Sequence, residues 1–174
     1  MTQLFEKILC PVYFDETSPA AIEYARHFAQ QSNGVIYLLH VVPTDELHLL
    51  RKVYHAEGGG ADTIKAERVS KEQLQEIATT HLSGVRHEIL TRLNSDPVAG
   101  ILETEKAIAP DLIVMATHGR TGLAHLVLGS VAEKVARESR CPVFSTHRGD
   151  SLTEVTPFQH ILVSVDIGEH STKT

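Results

Sequence analysis

Apolar positions in this chain fall into short uninterrupted runs and into stripes that recur every three or four residues. Ile8 to Phe14 (ILCPVYF), Val35 to Val42 (VIYLLHVV), Asp111 to Met115 (DLIVM) and Cys141 to Ser145 (CPVFS) are runs, as expected of strands buried on both faces. Val85 to Leu90 instead alternates apolar and polar residues, which predicts a strand at the edge of a sheet. Helical stripes lie between them. The first is Ile22, Ala25, Phe28 and Ala29, running to about Gln31 ahead of the Asn33-Gly34 break. The second is Ile64, Val69, Leu74, Ile77 and Ala78, within Thr63 to Leu82; the third is Val98, Ile101, Leu102, Glu105 and Ile108, up to Pro110. Ser18-Pro19 and Asp96-Pro97 each join a capping residue to a proline whose fixed φ suits a first helical turn. From Pro43 to Asp62 the periodicity breaks down into an excursion that ends in Gly58, Gly59 and Gly60.

Alternating strands and helices with mostly apolar strands predict an α/β fold: a doubly wound, Rossmann-like parallel sheet of five strands in the order 3-2-1-4-5. In such sheets ligands bind beyond the carboxyl ends of the strands where the order reverses, so the loops after strands one, two and four are the places to search.

Composition narrows the classes. A length of 174 residues with 42% hydrophobic content is enough for one full core. Sixteen basic against 22 acidic side chains give a net charge of -6 with no basic concentration, which argues against a nucleic-acid partner. The start MTQLFEKILCPV lacks the pattern of a signal peptide, and no apolar run approaches the ~18–20 residues of a membrane span. A cytoplasmic location with no membrane partner is the expectation. Cys10 and Cys141 sit in strand-like runs and read as buried thiols rather than a disulfide. The 11 histidines show no H-E-x-x-H or clustered spacing, and His118 and His125 are separated across a predicted loop, so no metal site made of protein ligands alone is expected.

The chemistry concentrates after the fourth strand, in ATHGRTGLAHLVLGSVAEKVA, where Gly119, Gly122 and Gly129 precede a helix starting near Ser130. Ser130 and Glu133 have the S-x-x-E spacing of a capping box, with Val131, Ala132, Val135 and Ala136 expected to face the sheet. The free N–H groups and positive pole of such a helix start suit a phosphate. Gly129 would let the anion approach the backbone, and the Ser130 hydroxyl would add a hydrogen bond. The same residues are equally consistent with a turn that holds no ligand. Neither a G-x-x-x-x-G-K-[ST] P-loop nor a G-x-G-x-x-G after the first strand is present. Ser130 has no His-Asp set at a supportive spacing, and no catalytic residue is assigned.

From about Lys7 to Ser145 the chain resembles the universal stress proteins. The likeness is carried by ILCPVYFDETSPAAIEYA, LLHVV, DLIVMATHGRTG and LGSVAEKVARESRCPV, and by Gly119, nine intervening residues, then Gly129-Ser130. The resemblance implies an adenine nucleotide alpha hydrolase-like fold and a stress-associated regulatory module. Such a module would bind ATP or ADP, with Mg2+ on the phosphates, and have little or no catalysis, at most slow ATP hydrolysis. Carried over by position, Pro11, Val12 and Val41 would border the adenine. Met115, Ala116, His118 and Gly119 would lie near the ribose and phosphates, and Gly129, Ser130 and Val131 would close on the phosphate tail. Two positions depart from the pattern. Ala116 stands in place of its first glycine, and Tyr13 stands where nucleotide-binding relatives usually carry Asp. Tyr13 can stack or hydrogen-bond, or it can fill the adenine slot; Asp15, two residues on, would substitute for the missing carboxylate if the strand continues. The alternative implied by Tyr13 is a scaffold of the same family that binds no nucleotide and forms a homodimer through the fifth strand.

Ile161 to Ser171 matches Ile8 to Ser18 as an internal repeat, with Asp166 at the place of Tyr13. The expected organisation is a tandem one: a nucleotide-binding domain over 1–148, a linker over 149–158, and the start of a second, incomplete copy over 159–174. Residues 160–166, an apolar strand without partner helices, are expected to pair at a sheet edge or to mediate self-association.

Overall fold

Five parallel strands form one sheet in the order β3-β2-β1-β4-β5, as predicted: β1 (Lys7–Pro11), β2 (Val35–Val42), β3 (His87–Leu93), β4 (Leu112–Ala116) and β5 (Val143–Thr146). The helices among the described residues are α1 (Ser18–Ser32), α2 (Gly59–His81), α3 (Pro97–Ile108) and α4 (Ser130–Glu138). The structure is a computed structural model and describes residues 5–15, 17–44, 59–117 and 129–147, with 59–62 described by backbone alone. The expected linker over 149–158, the restarted strand at 160–166, and His118, Gly119 and Gly122 lie outside the described residues.

Strand pleating divides the core in two. Ile8, Cys10, Val12, Ile36, Leu38, Leu112 and Val114 meet Ala21, Ile22, Ala25 and Ala29 of α1 and Leu74, Ala78 and Leu82 of α2. Leu9, Leu39, Val41, Ile113 and Met115 meet Val98 and Ile101 of α3 and Ala132 and Val135 of α4. Each such Leu, Ile or Val contributes roughly 1.5–3 kcal/mol by leaving water. Right-handed crossovers put the first two helices on one face and the last two on the other, because the winding direction reverses between β1 and β4. That reversal opens a crevice at the carboxyl ends of β1 and β4. Beside it α3 sits hard on β2: a Cβ on Gly100 would lie 2.8 Å from Cγ1 of Val41.

Element boundaries differ from the sequence pattern where side chains claim the backbone. β1 stops at Pro11 rather than Phe14. The Val12 N–H still reaches the Leu39 carbonyl at 2.8 Å, but the Tyr13 carbonyl is taken by the Asp15 N–H at 2.7 Å and by the Ser18 hydroxyl. Thr17, not Ser18, is the cap residue of α1, and its own side chain makes no capping bond. Asp15 Oδ1 accepts from the Thr17 and Ser18 N–H groups at 3.0 and 3.2 Å, and Ser18 is already helical. Asp96 caps α3 as predicted, accepting from the Val98 N–H at 2.9 Å. Asn33 ends α1 in the left-handed region at φ 51.

α2 begins at Gly59, earlier than Thr63, so Gly59 and Gly60 open a helix instead of closing a loop. β3 is the predicted edge strand but runs on to Leu93. β4 starts after Asp111, whose Oδ2 accepts from the N–H groups of Glu6 and Lys7 at 2.8 and 2.9 Å. β5 starts only at Val143, because the buried Glu105 carboxylate holds the preceding turn through the N–H groups of Arg140 and Cys141 at 2.6 and 3.2 Å. Both cysteines are free thiols, but only Cys10 is buried as expected, Cys141 being half-buried. Burial pushes Cys10 up to about 12, where it stays protonated. No described helix is long and apolar enough to cross a membrane.

Candidate functional site

Among the described residues, those singled out in the sequence lie toward the carboxyl rim of the sheet, in different settings. Pro11 ends β1, and Val12 follows it at 2% exposure as part of the core under α1 and α2. Val41 and Met115, at 8% and 1%, belong to the opposite core under α3 and α4. Ala116 closes β4 beside Thr146 and is half-buried. Val41 and Met115 form a hydrophobic floor on one face of the sheet, and Val12 is buried on the other.

The start of α4 departs from the predicted capping box. Gly129 is the cap residue, at φ -55 and ψ 141, and its carbonyl accepts from the Glu133 N–H at 2.9 Å. Ser130 is the first helical residue and is exposed, while Glu133 pairs with Arg137 at 2.6 Å. With the extended cap position already taken by glycine, Ser130 cannot fold its hydroxyl back over the turn. Ala132 and Val135 are buried as predicted, whereas Val131 is half-buried and Ala136 exposed. The result is a helix start with no side-chain cap. Its first-turn N–H groups suit an anion better than a capped turn would.

Tyr13 lies two residues beyond the end of β1. It is half-buried, and its phenol is pushed up to about 12, first by burial and then by the charges of Asp15 and Asp96. The hydroxyl therefore keeps its proton and can donate. Among the described residues, three buried side-chain polar atoms lack a hydrogen-bond partner: the Tyr13 hydroxyl, Asp15 Oδ2 and Thr146 Oγ1. All three lie at the carboxyl rim of the sheet. Leaving such a group unpaired costs about 1–3 kcal/mol, so their grouping at one end of the molecule points to a site and not to scattered imperfections.

Sequence reasoning missed His40. It is 9% exposed near the end of β2, with Nδ1 2.9 Å from the Val12 carbonyl and its ring centroid 4.2 Å from that of Phe14. A carbonyl only accepts, so Nδ1 carries the proton. Burial holds the imidazole below its usual pKa, partly opposed by the bond to Val12. Its signal was a lone polar residue inside the apolar run VIYLLHVV. No group of three or more metal-ligating side chains exists among the described residues.

A doubly wound parallel sheet with an uncapped helix start and orphaned polar atoms at its carboxyl rim defines an α/β domain whose candidate site lies at the strand ends. Residues 4–147 match the model of the Universal stress protein family, and the chain belongs to that family. It is 28% identical over 166 residues to universal stress protein MJ0577 of Methanocaldococcus jannaschii, covering 87% of this chain and 100% of the relative. The solved structure of MJ0577 superposes with a TM-score of 0.71 at 26% identity, covering 85% of this chain and 99% of that one. Two further structures share the fold. A universal stress protein in complex with cAMP has a TM-score of 0.57 at 20% identity, over 82% of this chain and 97% of that one. One from Archaeoglobus fulgidus in complex with dAMP has a TM-score of 0.56 at 16% identity, over 82% and 98%.

Proposed function

We propose that this chain is a stress-associated regulatory module of the cytoplasm that binds ATP or ADP at the carboxyl rim of its sheet, with little or no catalysis. The observation that carries the reading is the uncapped start of α4 at Gly129 and Ser130. It lies on the same sheet face as the Val41 and Met115 floor. The phosphates would meet the first-turn N–H groups of α4, with Mg2+ riding on the phosphate oxygens, and His118 and Gly119 would complete the turn. Pro11, Val12, Tyr13 and Val41 would border the base, Met115 and Ala116 the ribose, and Val131 the phosphate tail. Solved members of the family in complex with cAMP and dAMP support an adenine nucleotide as the ligand class.

Calorimetry with Mg-ATP on the wild type and on Gly129→Val tests the reading. Saturable binding that the valine abolishes is expected; no heat from either protein would refute it.

A second reading draws on Tyr13. A half-buried phenol at the nucleoside end can act as a plug, leaving a homodimeric scaffold that pairs through β5, with residues 160–166 adding to self-association. Gain of ATP binding in Tyr13→Asp over a wild type that binds none would favour the plug.

A further inference from the structure

β3 closes one edge of the sheet with seven residues, against four in β5 at the other edge. The Arg86 carbonyl accepts from the Ile36 N–H at 3.0 Å and the Asn94 N–H donates to the Val42 carbonyl at 3.2 Å, so even-numbered residues turn their backbone groups toward β2. His87, Ile89, Thr91 and Leu93 therefore turn theirs outward, a template for another strand. The side chains of Glu88, Leu90 and Arg92 share the α3 face of the sheet, because they stand beside Tyr37, Leu39 and Val41. Glu88 is exposed, and Leu90 and Arg92 are half-buried. A row of like charges along such an edge would keep copies of the chain apart. Here the charges are opposite and lie two residues to either side of Leu90, an arrangement that is its own complement. Two large apolar side chains are exposed at the carboxyl end of the same edge, Ile64 at 69% and Leu93 at 44%. They share that end because α2 runs back along β3, where the Thr91 hydroxyl donates to Glu67 Oε1 at 2.8 Å.

We propose that β3 is a self-association surface that takes the β3 of a second copy of this chain, joined antiparallel about a two-fold axis through Leu90. This register overlaps all seven residues and sets Glu88 opposite the second copy's Arg92 on both sides of the axis. His87 then faces Leu93 and Ile89 faces Thr91, each an outward-turned pair that exchanges two backbone hydrogen bonds. Leu90 faces its own copy, and the charged pairs stand between the hydrogen-bonded ones, where opposing side chains approach closest. In the single chain the Arg92 guanidinium donates to the Thr91 carbonyl at 3.1 Å, covering one outward acceptor. Pairing replaces that bond with one from a backbone N–H and frees Arg92 for Glu88. The surface is independent of the nucleotide reading and lies at the opposite edge from β5.

Charge reversal in the full chain, followed by analytical ultracentrifugation, tests the register. The wild type should equilibrate between the 19.1 kDa chain and a species of twice that mass. Glu88→Arg sets Arg against Arg at both charged pairs, and Arg92→Glu sets Glu against Glu. Each should weaken association at least about tenfold, with far-UV circular dichroism unchanged. An equimolar mixture of the two variants should restore the dimer, because each copy then carries one sign of charge. The double reversal should return to within about threefold of the wild type. A wild type that stays monomeric at ~1 mM would overturn the proposal. So would a dimer that neither single reversal weakens, which would place association at β5 or at residues 160–166, or a weakening that neither mixing nor double reversal repairs.

Discussion

α3 and α4 begin at the same end of the sheet and pack on the same face, yet their first turns are finished in opposite ways. α3 is closed by its own Asp96, which bonds the Val98 N–H and puts a negative charge over the helix start. α4 begins at a glycine with no side-chain cap. Two helix poles of the same sign and orientation thus offer opposite prospects to an anion, and the difference lies in one residue at each start. An anion site at a helix N-terminus is defined as much by a missing cap as by available N–H groups.

The strongest way to break this comparison is to give α4 the start that α3 has. In Gly129→Asp a carboxylate would cap the helix and meet the phosphates at close range, and the extended conformation at this position accepts any residue. ATP affinity should fall at least about a hundredfold by calorimetry, while stability changes by no more than ~0.3 kcal/mol. Equal binding in this variant would mean that phosphates do not sit at α4. The converse change is smaller. Asp96→Ala should cost about 1 kcal/mol in urea denaturation, as loss of a side-chain cap usually does, and leave tripolyphosphate affinity within about twofold. A large loss of phosphate binding there would show that the start of α3 belongs to the site after all.

The two helix starts also show what could be read in the sequence. Asp96-Pro97 is a local signal, and it was realised as a cap. Ser130-x-x-Glu133 is an equally local signal, yet Gly129 took the cap position and Glu133 turned to Arg137. The five strands followed from apolar periodicity, and β2 matched its run from Val35 to Val42. Boundaries slipped where long-range side-chain bonds compete for the backbone, as with Asp111 at the foot of β4 and Glu105 before β5. The candidate site was legible as a set of positions. Its chemistry was less so, because the unpaired Oδ2 of Asp15 and the seat of His40 on the Val12 carbonyl depend on burial, which spacing does not encode.

That seat makes the segment after β1 sensitive to acid. His40 is buried as a neutral donor, and its pKa in the folded protein lies below the ordinary 6.5. As pH falls through 6.5 the unfolded chain takes up the proton first, so unfolding consumes a proton and acid favours it. The stabilisation is complete above the unfolded value and is lost as pH falls from there toward the depressed folded one. In urea denaturation at about pH 7.5 and about pH 5.5, the wild type should lose more stability than His40→Gln, which has no imidazole to titrate. Parallel losses in the two proteins would remove His40 as the cause. Acidification thus has a chemical point of entry in this chain, at the carbonyl that follows β1.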